Sequence, residues 1–550
     1  MNKMSVAALQ WLSAALLVCV LFLASPAQAQ PRLGLTAHVP PAVANGQAQR
    51  VGALPAAQRM SLAISLPLRN EASLDNLLQQ IYDPQSPSYR QYLSVDEFTQ
   101  QFGPAAEDYA ALIGFAGANG LTVDETAANR LVLDVQGPVS NIEKAFHVTM
   151  GVYQHPTENR TFYAPDREPT LDLAVQVLHI SGLDNFTLPY AKHIVSSQAP
   201  DAGGKTTGSG PGGDFIGSDM RAAYYGSGPL TGTGQSVGLF EFAGYELSDV
   251  QLYFQTLNQP LNVPVKGVSL NGVPLSCPPT SCDDSEQVLD IEMSISMAPG
   301  LKQVIVYVGS SDVSIYNRMA ADNTAKQLSC SWGWSDDESS LDPIFKEMAA
   351  QGQSSFVATG DFGSRTPGDS VWPSDDPYVT GVGGSDLTTN GPGGSWLSET
   401  GWSGSAGGPS KNGIPIPKYQ EIPGVINTSN NGSTTLRNIP DVAAEANTNQ
   451  FSCWDGGCFG GNGGTSYASP QWAAFTALAN QQALEDGGTT IGFLNPKIYR
   501  IGVAPSYDSN FHDIVSGSNG GYTAVVGFDL VTGWGSMIGP TLIDTLVNSQ

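Results

Sequence analysis

The chain has 550 residues, with 24 Lys and Arg against 50 Asp and Glu, and a formal net charge of −26 at pH 7. That length calls for two or more domains, and the acidic balance excludes nucleic acid as an expected partner. Residues 196–550 carry 13 Lys and Arg against 34 Asp and Glu, so acid neutralises that region and leaves only about a dozen cations to repel one another.

Residues 1–29 read as a secretory leader. Lys3 precedes an apolar run over 12–23, and Ala27-Gln28-Ala29 supplies an A-x-A cleavage pattern. The run is short for a membrane span, and no other stretch is long and apolar enough to be one. The mature protein is expected to be secreted and soluble. Export permits disulfides. After removal of Cys19, five cysteines remain, and Cys277/Cys282 and Cys453/Cys458 each close a short turn-rich loop. Local pairing is the simplest connectivity, with Cys330 left as a buried free thiol and zinc the alternative.

Residues 30–195 form the first expected domain. A strand is predicted over 62–66 and helices over 72–82, 95–102 and 109–118. A strand over 131–136 and a short helix over 142–146 follow, which makes an α+β pattern. Residues 196–214 are a change of composition: 13 of the 19 are Gly, Ser, Thr or Pro, as expected of an exposed linker open to proteolysis. In 215–550 strand-like and helix-like runs alternate: 236–242, 284–297, 303–309, 316–325, 327–331, 341–350 and 354–359. Alternation of this kind predicts a parallel sheet with helices on both faces, where ligands sit at the carboxyl ends of the strands.

Gly463-Gly464-Thr465-Ser466 precedes the run 472–479, which has helical composition, and Pro470 suits a first helical turn. Ser466 is thus expected near a helix N-terminus, where developing negative charge is favoured. A serine needs a base to become a nucleophile. Five histidines, at 38, 147, 155, 179 and 193, precede the linker, and His512 follows the serine. The subtilisin order of Asp and His before Ser is not met, so a His-dependent subtilisin-like peptidase is disfavoured. The segment 284–297 offers carboxylates instead. Glu286 and Asp290 are four apart on one helix face, either as two solvated acids on an exposed helix or as a pair sharing a proton.

The chain resembles the sedolisins, or serine-carboxyl peptidases, made with a pro-kumamolisin-type prodomain. The likeness rests on Asp83-Pro84-Gln85-Ser86-Pro87-Ser88-Tyr89, Tyr92-Leu93, Glu97-Phe98 and Phe102-Gly103-Pro104 in the first domain. In the second it rests on Glu286-x-x-x-Asp290, Ser331-Trp332-Gly333, Thr359-Gly360-Asp361-Phe362-Gly363 and Gly464-Thr465-Ser466. The resemblance implies a subtilisin-like α/β domain preceded by a ferredoxin-like prodomain. It implies Ser466 as nucleophile, Glu286 as base, Asp290 orienting Glu286, and Asp361 as oxyanion donor. The resemblance also implies Glu241 and Trp332 as the outer members of the same hydrogen-bond chain, against a strand-end acid and a core Trp as the alternatives. A glutamate serves as base near its ordinary pKa of about 4.3, and a carboxyl donates to an oxyanion only while protonated, so both roles point to acid.

The resemblance also implies one structural calcium ion on the side chains of Asp513 and Asp529 and the carbonyls of Ile514, Val525 and Gly527, a hard-oxygen set. Where Val525 stands the family often has Gly. The expected activity is hydrolysis of protein or peptide substrates by a monomer that inhibits itself with its own prodomain. Internal cleavage and tripeptide release are both left open. A secreted calcium-stabilised binding protein without catalysis is the alternative from another class.

Overall fold

A computed structural model describes residues 33–195, 207–334, 338–364 and 371–548. The expected leader at 1–29 lies outside the described residues, as does most of the linker, 196–206.

The N-terminal part is built on β1 (Arg59–Ser65), α1 (Glu71–Ile81), α2 (Val95–Gln101), α3 (Ala106–Ala118), β2 (Thr122–Thr126), β3 (Val132–Pro138), α4 (Val139–Phe146) and β4 (His179–Ser181). These strands form an antiparallel sheet in the order β2-β3-β1-β4. With helices between β1 and β2 and between β3 and β4, this is the ferredoxin-like arrangement. Local chemistry sets the helix starts. Ser94 and Glu97 cap α2 reciprocally, the Ser94 hydroxyl accepting from Glu97 N–H and the Glu97 carboxylate accepting from Ser94 N–H. A short last strand, β5 (Tyr190–Ala191), leaves this unit altogether.

The C-terminal part contains β6 (Ser236–Glu241), β7 (Val265–Ser269), α5 (Ser285–Met297), β8 (Gln303–Val308), α6 (Asp312–Asp322), β9 (Gln327–Cys330), β10 (Trp332–Gly333), α7 (Glu338–Ala350), β11 (Ser354–Ala358), β12 (Thr380–Thr389), β13 (Trp396–Gly401), β14 (Val442–Glu445) and α8 (Thr465–Glu485). Its sheet runs β7-β8-β6-β9-β11-β12-β13, with β14 also beside β12. Every pairing is parallel except β12 with β13. Strands such as β6 and β11 are buried along their whole length, as a parallel sheet covered on both faces requires.

The predicted elements from 236 to 359 are present within a few residues of their expected ends. Two details differ. First, α5 is buried at every residue from Ser285 to Met297, so its acids are not a solvated face. Second, α8 begins at Thr465, and Pro470 lies inside it rather than in its first turn. There the proline nitrogen cannot bond the Ser466 carbonyl four residues back.

The two parts share packing. Leu74, Leu78, Ile81, Phe98 and Phe102 of α1 and its neighbours join the apolar cluster of the C-terminal part. Polar contacts with α6 and α7 add specificity. The Asn129 amide donates to Asn317 Oδ1 (2.8 Å) and Glu347 Oε2 (2.7 Å), and Lys346 Nζ lies 2.7 Å from Glu71 Oε1. This docking carries residues 190–194 to the carboxyl ends of the central strands.

Candidate active site

The polar residues that matter gather where β6, β9 and β11 end. Glu241 is the last residue of β6, Ser331 and Trp332 follow β9, and Asp361 follows β11. Ser466 is the second residue of α8, reached through Gly464 at φ +129°. Its N–H is one of the helix-start donors with no partner inside the helix. It donates to the Lys192 carbonyl at 3.1 Å, and the Ser466 hydroxyl donates to the same oxygen at 2.5 Å.

Asp361 faces the same place. Its Oδ1 accepts from Thr465 N–H (2.8 Å) and from the Thr465 hydroxyl (2.9 Å). The Thr465 hydroxyl in turn accepts from Gly360 N–H at 2.9 Å. A Cβ on Gly464 would lie 2.6 Å from the Lys192 oxygen and 2.8 Å from Asp361 Oδ2. Those two oxygens therefore border one small space, and only glycine leaves it open. Burial pushes the Asp361 carboxyl up to about 7, against the lowering effect of its bonds to Thr465. It is thus protonated in acid, with a proton to give.

The acids of α5 meet the end of β6 in the interior. Glu286 is 2% and Asp290 0% exposed. Asp290 Oδ1 accepts from the Ser331 hydroxyl at 2.8 Å, and Glu241 Oε2 accepts from the Trp332 indole N–H at 2.8 Å. Burial, then the charges of Glu241 and Glu286, raises Asp290 well above the carboxylate range. Burial likewise raises Glu241, which reaches Asp290 by a side-chain hydrogen bond. Two carboxyls make that contact only by sharing a proton. Asp290, Glu241 and Trp332 are thus brought together, and Glu286 is near enough to raise both acids by its charge, although it does not touch Ser466 here.

What it does touch is His193. The Nδ1 of His193 lies 2.5 Å from Glu286 Oε2, and its Nε2 lies 3.1 Å from the Ser285 hydroxyl. Burial disfavours the imidazolium, but the charge and hydrogen bond of Glu286 outweigh it and raise the His193 pKa. Both ring nitrogens are occupied away from Ser466, so no Ser–His pair forms. His512 stacks on Trp396 at 3.9 Å between ring centroids and is not part of this site. In the sequence His193 is one of five histidines before the linker, and its one visible signal is a position just before the Ser- and Gly-rich stretch beginning at Ser196. Sequence reasoning also missed Thr465, which positions Asp361, and Glu292, a further buried α5 acid that accepts from Cys453 N–H at 3.3 Å.

Asp513 and Asp529 face a common C-terminal loop. Gly527 N–H donates to Asp513 Oδ1 at 3.1 Å and Val525 N–H to Asp529 Oδ2 at 3.1 Å. Among the described residues no donor is bonded to the carbonyls of Ile514, Val525 or Gly527. Two carboxylates and three spare carbonyls suit a hard cation. Among the described residues no cluster of three or more His, Cys, Asp or Glu could hold a metal, so any site here depends on those carbonyls. The disulfides Cys277–Cys282 and Cys453–Cys458 are formed, and Cys330 is free and buried.

Comparison with known proteins bears on this geometry. Residues 46–186 match the pro-kumamolisin activation domain. The chain is 30% identical over 500 residues to kumamolisin from Bacillus sp. (strain MN-32), spanning 84% of this chain and 87% of that one. The chain belongs to the sedolisin family. It is also 26% identical over 522 residues to sedolisin from Pseudomonas sp. (strain 101), covering 88% of this chain and 86% of that protein. A solved structure of Pseudomonas sedolisin, described as a serine-carboxyl proteinase complexed with pseudo-iodotyrostatin, aligns with a TM-score of 0.53 at 25% identity. That alignment covers 63% of this chain and 100% of the other. As a member of the family the chain is a serine-type peptidase made as a zymogen with an activation prodomain.

Proposed function

We propose that this chain is a secreted, acid-active serine-carboxyl peptidase that works through Ser466, Glu286 and Asp290, with Asp361 as oxyanion donor. The observation that carries this reading is the convergence of the Ser466 hydroxyl and N–H on one carbonyl oxygen, with Asp361 Oδ2 bordering the same small space beside Gly464. In the reaction Ser466 Oγ attacks a substrate carbonyl carbon and its proton passes to Glu286. Asp361 and the Ser466 N–H hold the oxyanion. Collapse breaks the C–N bond, Glu286 returns the proton to the leaving amine, and an acyl-enzyme remains. Water then repeats the sequence with Glu286 again as base. Asp290 orients Glu286, and the Glu241–Trp332 pair anchors Asp290.

The same reading assigns residues 1–29 to a leader, 30–195 to an inhibitory prodomain, 196–214 to a linker and 215–550 to the peptidase. One calcium ion would be held by Asp513, Asp529 and the carbonyls of Ile514, Val525 and Gly527, where it would brace the loop. Secretion is supported by the leader pattern and the two disulfides. Among the described residues no helix is long and apolar enough to cross a membrane.

The test is peptide hydrolysis by the acid-activated full chain. Ser466→Ala should be inactive, and Glu286→Gln should lose about 10²–10⁴ in turnover while still binding peptide. Hydrolysis by Glu286→Gln at the wild-type rate would mean that another group is the base.

A further inference from the structure

The segment at Ser466 is part of the chain itself, and it is bound as a substrate would be. Tyr190–Ala191 pair antiparallel with Trp332–Gly333. Lys192 N–H donates to the Ser331 carbonyl at 2.9 Å. On the other side of Ser466, Ile194 and Gly463 exchange both backbone hydrogen bonds, at 2.7 and 3.0 Å. An extended peptide added to strand edges in this way is a common mode of peptide recognition, in which the backbone sets the register and side-chain pockets set the preference. The register puts the Lys192 carbonyl on both the Ser466 hydroxyl and the Ser466 N–H, with the Ser331 carbonyl a longer second acceptor for the hydroxyl at 3.4 Å. The Lys192 side chain is 1% exposed, and its ammonium donates to the Ala358 carbonyl at 2.6 Å, at the end of β11. The next residue, His193, lies on Glu286.

We propose that Lys192–His193 is the first bond this enzyme hydrolyses in its own chain, and that the pocket holding Lys192 selects a long cationic side chain before the scissile bond. The proposal rests on the serine-carboxyl reading above and names the bond and the subsite for it. Ser466 Oγ bonds to the Lys192 carbonyl carbon and passes its proton to Glu286. The Lys192–His193 C–N bond breaks, and the His193 nitrogen takes that proton. Water then hydrolyses the Lys192 ester. The products end in a Lys192 carboxylate and begin with a His193 amine. This places the first cut just upstream of the Gly- and Ser-rich stretch at 196–214, whose composition alone marks it as accessible. A cation buried beside a carbonyl needs that partner to offset its lost hydration, so a carboxylate in the same pocket would meet an acceptor instead of a donor.

The full-length precursor, purified near neutral pH and shifted to about pH 4, should yield a first new N-terminus at His193, read by mass spectrometry over time. The Ser466→Ala precursor should stay intact. A synthetic peptide of residues 187–198 should be cut by the matured enzyme between Lys192 and His193. The same peptide with Lys192→Glu should be cut there at least about tenfold more slowly. Maturation at another bond with Lys192–His193 left whole, while unfolded casein is still digested, overturns this proposal and leaves the peptidase reading standing. Equal rates on the two peptides overturn the cationic pocket. A Ser466→Ala precursor that matures like wild type shows that another protease makes the cut. Failure to digest casein or any peptide overturns both readings.

Discussion

Asp361 offers the sharpest test, because one substitution should change the pH dependence of both catalysis and stability. Its carboxyl moves from the ordinary 3.8 to about 7, with burial the largest cause. A folded-state value above the unfolded one means that the fold favours the protonated acid. The contribution to stability is full below about pH 4 and is lost as pH rises through about 7. At about 1.36 kcal/mol for each pH unit, the difference between those values is about 4 kcal/mol, an upper figure for a buried group. Asp361→Asn keeps an acceptor for Thr465 N–H, bonded at 2.8 Å in wild type, and cannot ionise. Thermal melts in a Ser466→Ala background, which prevents self-digestion, should therefore match at pH 4. At pH 8 the Asn variant should melt several degrees higher.

In the active background the Asn variant should keep a donor for the oxyanion and lose the alkaline limb of the rate profile that Asp361 sets near pH 7. Asp361→Ala removes the donor and leaves Thr465 N–H without its acceptor, at a cost of about 10²–10³ in turnover. Wild type and Asp361→Asn melting alike at pH 8, with the same alkaline limb, would refute both the ionisation and the donor role.

Two further outcomes follow from the geometry. Gly464→Ala would place a Cβ within 2.6 Å of the Lys192 oxygen and the His193 Cα, at a φ of +129° that side chains rarely adopt. The variant precursor should therefore fail to self-process, with peptide turnover lost even where circular dichroism shows a folded protein. Chelation should lower the melting temperature of the mature enzyme, because Asp513 and Asp529 would lose their shared cation. At a calcium concentration of about 100 times the Kd the loss is about 2.7 kcal/mol. An unchanged melt for both chelated wild type and Asp513→Ala would remove calcium from the account.

Much of this protein was legible along the chain because the signals involved are local. Apolar runs and their spacing marked the parallel strands and helices from 236 to 359, and Glu286 and Asp290 declared a shared face by being four apart. Short motifs located Ser331, Asp361 and Ser466, and the paired cysteines lay five residues apart. Local pattern could not say whether α5 faces solvent or core, since its acids suit either. Packing against the sheet and α8 decided that, and it set Asp290 of α5 against Glu241 of β6, where two buried carboxyls share a proton. Nor could composition single out Lys192 and His193, which look like ordinary residues near a linker. They stand 274 residues from Ser466 (Lys192) and 93 from Glu286 (His193). Only the docking of the N-terminal unit on α6 and α7 brings them there, because contacts between residues so far apart depend on tertiary packing and leave no trace in local spacing.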